Sequence, residues 1–260
     1  MKIIIEFDND NEGLNGGKIA VKHLKALLEE SYKNKGSNID NIDNKYELDN
    51  DLTTDKTKVY TSNMNDDDVN NDEVVIANRG TSDFKDVLTD MKMIFGYKDN
   101  RFKEGQDILN KIKNKYSNAS IDSIGHSLGA SVAENIGNDM QVKNVITLNK
   151  PTTPYDVFRP SKNKDKQYDI KTSKDVVSLL APLQKNSNDI IIPSETNNLY
   201  TEHKIDVLDR LNQELIIGKG INKIRLGKDD IKRLIKYVMK SKKLKAKYTS
   251  YDVELLKSLL

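Results

Sequence analysis

Residues Gly125-His126-Ser127-Leu128-Gly129 set a serine between two glycines, after the apolar-leaning run Ile121 to Ile124 and before helix-compatible residues from Ala130 onward. A strand that turns sharply into a helix needs such a pattern. Without a Cβ at either flanking position, the backbone can reverse closely enough to lift the Oγ of Ser127 clear of the sheet. A hydroxyl presented in that way is a candidate nucleophile. In a loop merely rich in small residues, the same five residues would carry no chemistry.

A serine hydroxyl attacks poorly near neutral pH unless an imidazole takes its proton and a carboxylate fixes the tautomer of that imidazole. The chain has three histidines. His126 is locked beside the serine in the turn, and His23 is a lone imidazole among lysines that suits a surface or packing role. His203, in Tyr200-Thr201-Glu202-His203-Lys204, is left as the base. For the acid, Asp175 sits at the end of a later strand, with Asp169 and Asp189 as weaker alternatives.

These residues need a scaffold, and the hydrophobic pattern supplies one. Ile3 to Phe7 reads as a strand and Leu14 to Tyr32 as a helix; residues 34 to 58 are polar and read as a mobile insertion with little to bury. Val59 to Ser62 reads as a strand. Asp66 to Glu73 forms an acidic turn that lacks the spacing of an EF-hand loop, so no metal is expected there. Val74-Val75-Ile76-Ala77 reads as a strand buried on both faces. Phe84, Val87, Leu88 and Met91 give a helix to Phe95, and Phe102, Ile108, Leu109 and Ile112 give a second helix over Arg101 to Tyr116. The Ser127 strand follows, then a helix through Ile136 and a strand at Val145 to Leu148. Tyr168 to Lys171 reads as a further strand, Ile190 to Ile192 as a hairpin edge, and His203 falls just before a helix through Leu211. Alternating strands and helices predict an α/β fold with a mostly parallel sheet flanked by helices.

Three blocks resemble the class 3 lipase family, α/β-hydrolases typified by fungal triacylglycerol lipases. Arg79-Gly80-Thr81-Ser82 through Asp90 is similar to that family's Arg-Gly-Ser/Thr segment; Gly125 to Gly129 matches its nucleophile elbow, including the preceding histidine; Thr172 through Pro182 resembles its acid-bearing segment. The order Ser127, Asp175, His203 is also the α/β-hydrolase order. The resemblance covers residues 59 to 210. It implies a lipase or phospholipase acting on lipid or other acyl esters without metal or cofactor. It further implies an oxyanion hole from Thr81 and the amide of Leu128, with Asp90 orienting Thr81. A lid would begin in the helix from Asp83. Departures are Ala130 for the family's second glycine and Asn149-Lys150-Pro151 for Gly-x-Pro, neither expected to touch the triad. A small-ester esterase or an acyltransferase could use the same residues, and a catalytically silent membrane- or nucleic-acid-binding module is the contrasting class.

The length of 260 residues suits one hydrolase domain over residues 1–215 with a small helical appendage over 216–260. There is no cysteine, which excludes disulfides and thiolate chemistry. The brief apolar run at the N-terminus is too short for a signal peptide or a membrane span, so a soluble, cytoplasmic or otherwise intracellular protein is expected. Lysine supplies 36 of the 42 cationic residues, a lysine-rich background against which a local Lys run says little. Residues 219 to 247 nevertheless hold twelve Lys or Arg against two Asp. An apolar stripe of Ile231, Leu234, Ile235 and Val238 suggests that this tail docks on the domain; an anionic membrane surface ranks second and nucleic acid last.

Overall fold

Runs of buried-type residues broken by amphipathic segments set the architecture. The computed structural model of the chain describes residues 19–38, 41–62, 73–81, 91–152, 162–163, 165–173, 175, 177–178, 188–198, 200–213, 216–217, 232, 235–236, 239–240 and 250–258. Strand β1 (Ile19–Ala20) leads into helix α1 (Val21–Ser31), followed by β2 (Tyr46–Leu48), β3 (Thr57–Ser62) and β4 (Glu73–Asn78). Helix α2 (Met91–Lys115), β5 (Ser120–His126), α3 (Leu128–Ile136), β6 (Val142–Leu148), β7 (Gln167–Thr172) and β8 (Asn188–Ile192) come next. Two 3-10 turns, Thr201–His203 and Ile205–Arg210, precede β9 (Ile216–Ile217) and α4 (Ser250–Lys257).

Strands β2 to β8 lie side by side in sequence order. β2, β3 and β4 run antiparallel, whereas β4 through β8 are parallel throughout. The sheet is thus mixed, mostly parallel and flanked by helices. Its two faces bury different partners. On one, Val74, Ile76, Ile121, Val142 and Val145 pack against Ile108, Leu109 and Ile112 of α2 and Val132, Ala133 and Ile136 of α3. On the other, Val75, Ala77, Ile124, Ile146, Leu148 and Ile170 pack against Leu24, Leu27 and Leu28 of α1 and Val207 and Leu208 of the second 3-10 turn. Helices α2 and α3, crossing between consecutive parallel strands, share one face because such crossovers are right-handed. The strand ends carrying Asn78, His126 and Leu148 therefore open at one edge of the sheet, below α1 and the His203 segment.

Several sequence expectations are corrected. Helix α1 starts at Val21; Ile19 and Ala20 instead pair with Ile217 and Ile216. The polar insertion is not an unstructured loop: Ile42 and Tyr46 are buried in the core. Asp49 accepts hydrogen bonds from the amides of Asp51 and Leu52, from Lys115 Nζ and from Tyr116 Oη, which ties the insertion to the end of α2. The two helices expected across Met91 and Tyr116 are one 25-residue helix, because Gly96 costs a helix only about 1 kcal/mol and does not stop it. β8 pairs parallel to β7, so Ile190 to Ile192 form an edge strand and not a hairpin. His203 closes one 3-10 turn, and the helix expected after it is a second 3-10 turn, Ile205–Arg210. The expected strand Ile3 to Phe7, the start of the first helix at Leu14, the acidic residues before Glu73, the segment Asp83 to Asp90 and most of the basic tail lie outside the described residues. Among the described residues, no helix is long and apolar enough to cross a membrane.

Candidate active site

Ser127 stands between the end of β5 and the start of α3 with φ 55° and ψ −127°. A non-glycine residue held there stores about 1–3 kcal/mol of backbone strain and persists only where its surroundings over-determine it. Here the amide of Ser127 donates to the carbonyl of Leu148 at 3.0 Å, and its own carbonyl accepts the amide of Ala130 at 2.9 Å. The flanking glycines serve close approach. A Cβ on Gly125 would sit 2.2 Å from the carbonyl oxygen of Gly129, and a Cβ on Gly129 would sit 2.1 Å from that of Asn78. The strain thus falls on the serine itself, while its neighbours let three backbone segments meet. Ser127 is 2% exposed, and its Oγ has no hydrogen-bond partner among the described residues.

Asp175 and His203 come together from segments 28 residues apart, with His203 Nδ1 2.7 Å from Asp175 Oδ1. Both are buried. Asp175 Oδ2 also accepts the amide and hydroxyl of Ser178, and Oδ1 accepts the amide of Val177. An ionised carboxylate only accepts, so Nδ1 of His203 carries the proton and Nε2 is left as the basic atom. Of the alternative acids, Asp169 faces Thr147, Lys150 and Gln167; the side chain of Asp189 in β8 lies outside the described residues. His23 packs edge-on to Tyr46 and pairs with Asp43 at 3.2 Å, away from the serine.

His126 bridges the turn at Ser127 and the segment of His203. Its Nε2 lies 2.7 Å from the carbonyl oxygen of His203, and its Nδ1 lies 2.6 Å from Tyr32 Oη. A carbonyl cannot donate, so the ring is protonated at Nε2 and accepts the Tyr32 hydroxyl at Nδ1. Burial and the neighbouring His203 imidazole push its pKa down to about 3, which keeps it neutral.

Ser127, His126, His203 and Thr81 line one cleft of about 350 Å³, together with Tyr32 and Ile205. Glu29, Lys204 and Asp206 add charge to its wall. Leu128 opens α3, where the first amides have no intrahelical acceptor and attract negative charge. Thr81 is exposed and follows Gly80, which is packed so closely on the elbow that a Cβ there would lie 2.8 Å from Ser127 Cβ. The structure therefore brings Ser127, Asp175, His203, Leu128 and Thr81 to one edge of the sheet; Asp90 lies outside the described residues. Among the described residues, no group of His, Asp or Glu has the arrangement to hold a metal ion.

Three supporting residues escape sequence reasoning. Tyr32 ends α1, far from any motif. Glu202 is buried and pairs with Arg210 at 2.7 Å. Asn149 adopts a positive φ of 51°; its Oδ1 accepts the amide of Thr172 and its Nδ2 donates to the carbonyl of Glu202. The Asn149-Lys150-Pro151 departure thus reaches the residue before His203, through main-chain atoms of Glu202 and Thr172 that are not themselves triad candidates. The signal was present as an asparagine at a strand end, a residue type that tolerates the left-handed region.

No protein-family model matches the chain, and no curated protein matches it. Solved structures similar to it include the Lip2 lipase of Yarrowia lipolytica, at 15% identity over 82% of this chain and 90% of that one, with a TM-score of 0.46. The triacylglyceride lipase of Rhizomucor miehei is 14% identical over 78% of this chain and 94% of its own, with a TM-score of 0.45. A lipase from Rhizopus microsporus var. chinensis is 12% identical over 85% and 88% of the two chains, with a TM-score of 0.43. At such identities nothing about the site passes from those proteins to this chain, and its own geometry must carry the chemistry.

Proposed function

We propose that the chain is a serine ester hydrolase, with lipid acyl esters, acylglycerol or phospholipid, as its substrate class. The observation that carries this reading is His203, paired with the buried Asp175 at 2.7 Å and lining the same cleft as the strained Ser127. Ser127 Oγ attacks the acyl carbonyl carbon while its proton passes to His203 Nε2. Negative charge on the carbonyl oxygen falls to the amides of Leu128 and Thr81, and Asp90 would orient Thr81. Collapse of the tetrahedral intermediate breaks the bond to the alcohol, which leaves with the proton from His203. Water, deprotonated by the same imidazole, then releases the acid from Ser127. Asp175 stays ionised and holds the imidazolium in place. Metal and cofactor have no step in this sequence.

The lipid class rests on the class 3 lipase resemblance of the three sequence blocks; small-ester hydrolysis and acyl transfer use the same residues. The test is turnover of p-nitrophenyl acyl esters of graded chain length by the wild type and by Ser127→Ala. Turnover by the wild type alone supports the reading, and the chain-length optimum separates a lipase from a small-ester esterase. Equal inertness of both proteins would refute it.

A further inference from the structure

The hydroxyl of Tyr32 belongs to no recognised motif, yet two parts of the site meet on it and a third is reached through His126. The amide of Gly80 donates to it at 3.0 Å, and it donates to His126 Nδ1 at 2.6 Å. His126 passes the contact on, from Nε2–H to the carbonyl of His203 at 2.7 Å. A Cβ on Gly80 would lie 2.6 Å from Tyr32 Oη, so loop and phenol are in direct contact. The tyrosine backbone is tied in as well: its carbonyl accepts Arg79 Nη1 at 3.4 Å, and the carbonyl of Arg79 accepts Arg101 Nη2 at 3.0 Å. Burial pushes the phenol pKa up to about 12, so the hydroxyl keeps the proton it must donate.

The chain of bonds runs in one direction, Gly80 N–H to Tyr32 O–H to His126 Nε2–H to the His203 carbonyl. Each group is at once donor and acceptor, or an end of the series, and none is interchangeable with water without loss of direction. At one end is the peptide just before that of Thr81; at the other is the main chain carrying the base. These two ends come from elements far apart in sequence, the segment after β4 and the 3-10 turn that ends at His203. Catalysis needs their separation held to within about 0.5 Å. An elbow histidine alone could hold His203 but not Gly80, and Tyr32 supplies the missing link.

We propose that Tyr32 is a positioning residue that sets the oxyanion loop and the base segment in register through a single hydroxyl. This rests on the hydrolytic reading above. Tyr32→Phe keeps the ring and its packing and removes only the relay. The variant should lose about tenfold in kcat with KM within about twofold of the wild type. His126→Asn should lose kcat as well, and the double variant should lose little more than the worse single one, because both interrupt one path. Imidazole 15N spectra give a readout that loss of packing alone would not move. In the wild type the proton of His126 sits on Nε2, and in Tyr32→Phe the Nδ1 resonance shifts as its donor disappears. Full kcat in Tyr32→Phe, additive losses in the double variant, or a proton on Nδ1 of His126 would overturn the inference while the hydrolase reading stands. A wild type inert towards every ester would overturn both. Should Tyr32→Phe fail to fold, His126→Asn and the wild-type spectra decide the matter.

Discussion

Glu202, the residue before the proposed base His203, forms an ion pair with Arg210, Oε2 to Nη1 at 2.7 Å. The carboxylate also accepts the amides of Glu195 and Thr196 and the Thr196 hydroxyl, and the Glu202 carbonyl accepts Asn149 Nδ2 and Thr172 Oγ1. Residue 202 is therefore held at both ends, and His203 inherits its position. Burial works against the charge of Glu202, but Arg210 and Thr196 outweigh it and hold the carboxyl pKa down to about 2.

Removing that charge should loosen the base segment. Glu202→Ala leaves Arg210 without its buried partner and is expected to cost about 3 kcal/mol, measured by urea unfolding. The stabilisation of the depressed carboxyl is present above its ordinary pKa of 4.5 and is lost as pH falls towards about 2. The acid limb of the wild-type stability curve should accordingly be shallower in Glu202→Gln.

Gly129→Ala should be harsher than its chemistry suggests. The added methyl meets the carbonyl oxygen of Asn78 at 2.1 Å, backbone that cannot step aside. A loss of about 3 kcal/mol or more is expected on chemical denaturation. Ala130, the family departure one position on, is 0% exposed and already carries its methyl within the core.

A buried carboxyl in the sheet should make stability fall with rising pH. Burial in β5, followed by the neighbouring Glu73, pushes the pKa of Asp122 up to about 7, although Asn144 donates to its Oδ1 at 2.7 Å and opposes the rise. The folded chain thus binds more protons than the unfolded one between about pH 4 and 7, and stability drops across that window. Asp122→Asn keeps an acceptor for Asn144 and removes the ionisation. Its stability should fall less through the window, where the partly buried Glu73 still titrates, and exceed that of the wild type at pH 8, as thermal melts would show.

Ile235 and Leu256, beyond the hydrolase motifs, are both 0% exposed. Docking of the C-terminal helices on the domain would make Leu256→Ala cost about 2–4 kcal/mol of unfolding free energy. If the tail serves an anionic membrane surface instead, the variant should be near neutral, and sedimentation with phosphatidylserine vesicles should weaken steeply as salt rises.

What the sequence makes legible follows from how local the signal is. Val74 to Ala77 are apolar on successive positions, so burial of β4 on both faces was readable, and the alternation of strands and helices after it made the parallel part of the sheet readable. The elbow was readable because Gly125 and Gly129 answer a steric demand within five residues. The insertion was misread because Ile42 and Tyr46 are isolated among Asn, Asp and Lys, and burial came from the partner strand β3 rather than from any local period. Helix α2 was split at Gly96 because propensity is local, while the hydrogen bonds that carry a helix through a glycine are cooperative. Tyr32 and Glu202 were invisible because their roles consist of contacts with residues 94 and 8 positions away.

The central claim is that Ser127 is an activated nucleophile driven by His203. Labelling with an alkyl p-nitrophenyl phosphonate, followed by mass spectrometry of the digested protein, tests it most directly. One adduct is expected, on the peptide holding Ser127, absent in Ser127→Ala and formed far more slowly in His203→Ala. A wild-type protein that takes up no phosphonate, or takes it up elsewhere while Ser127 stays free, would contradict the account.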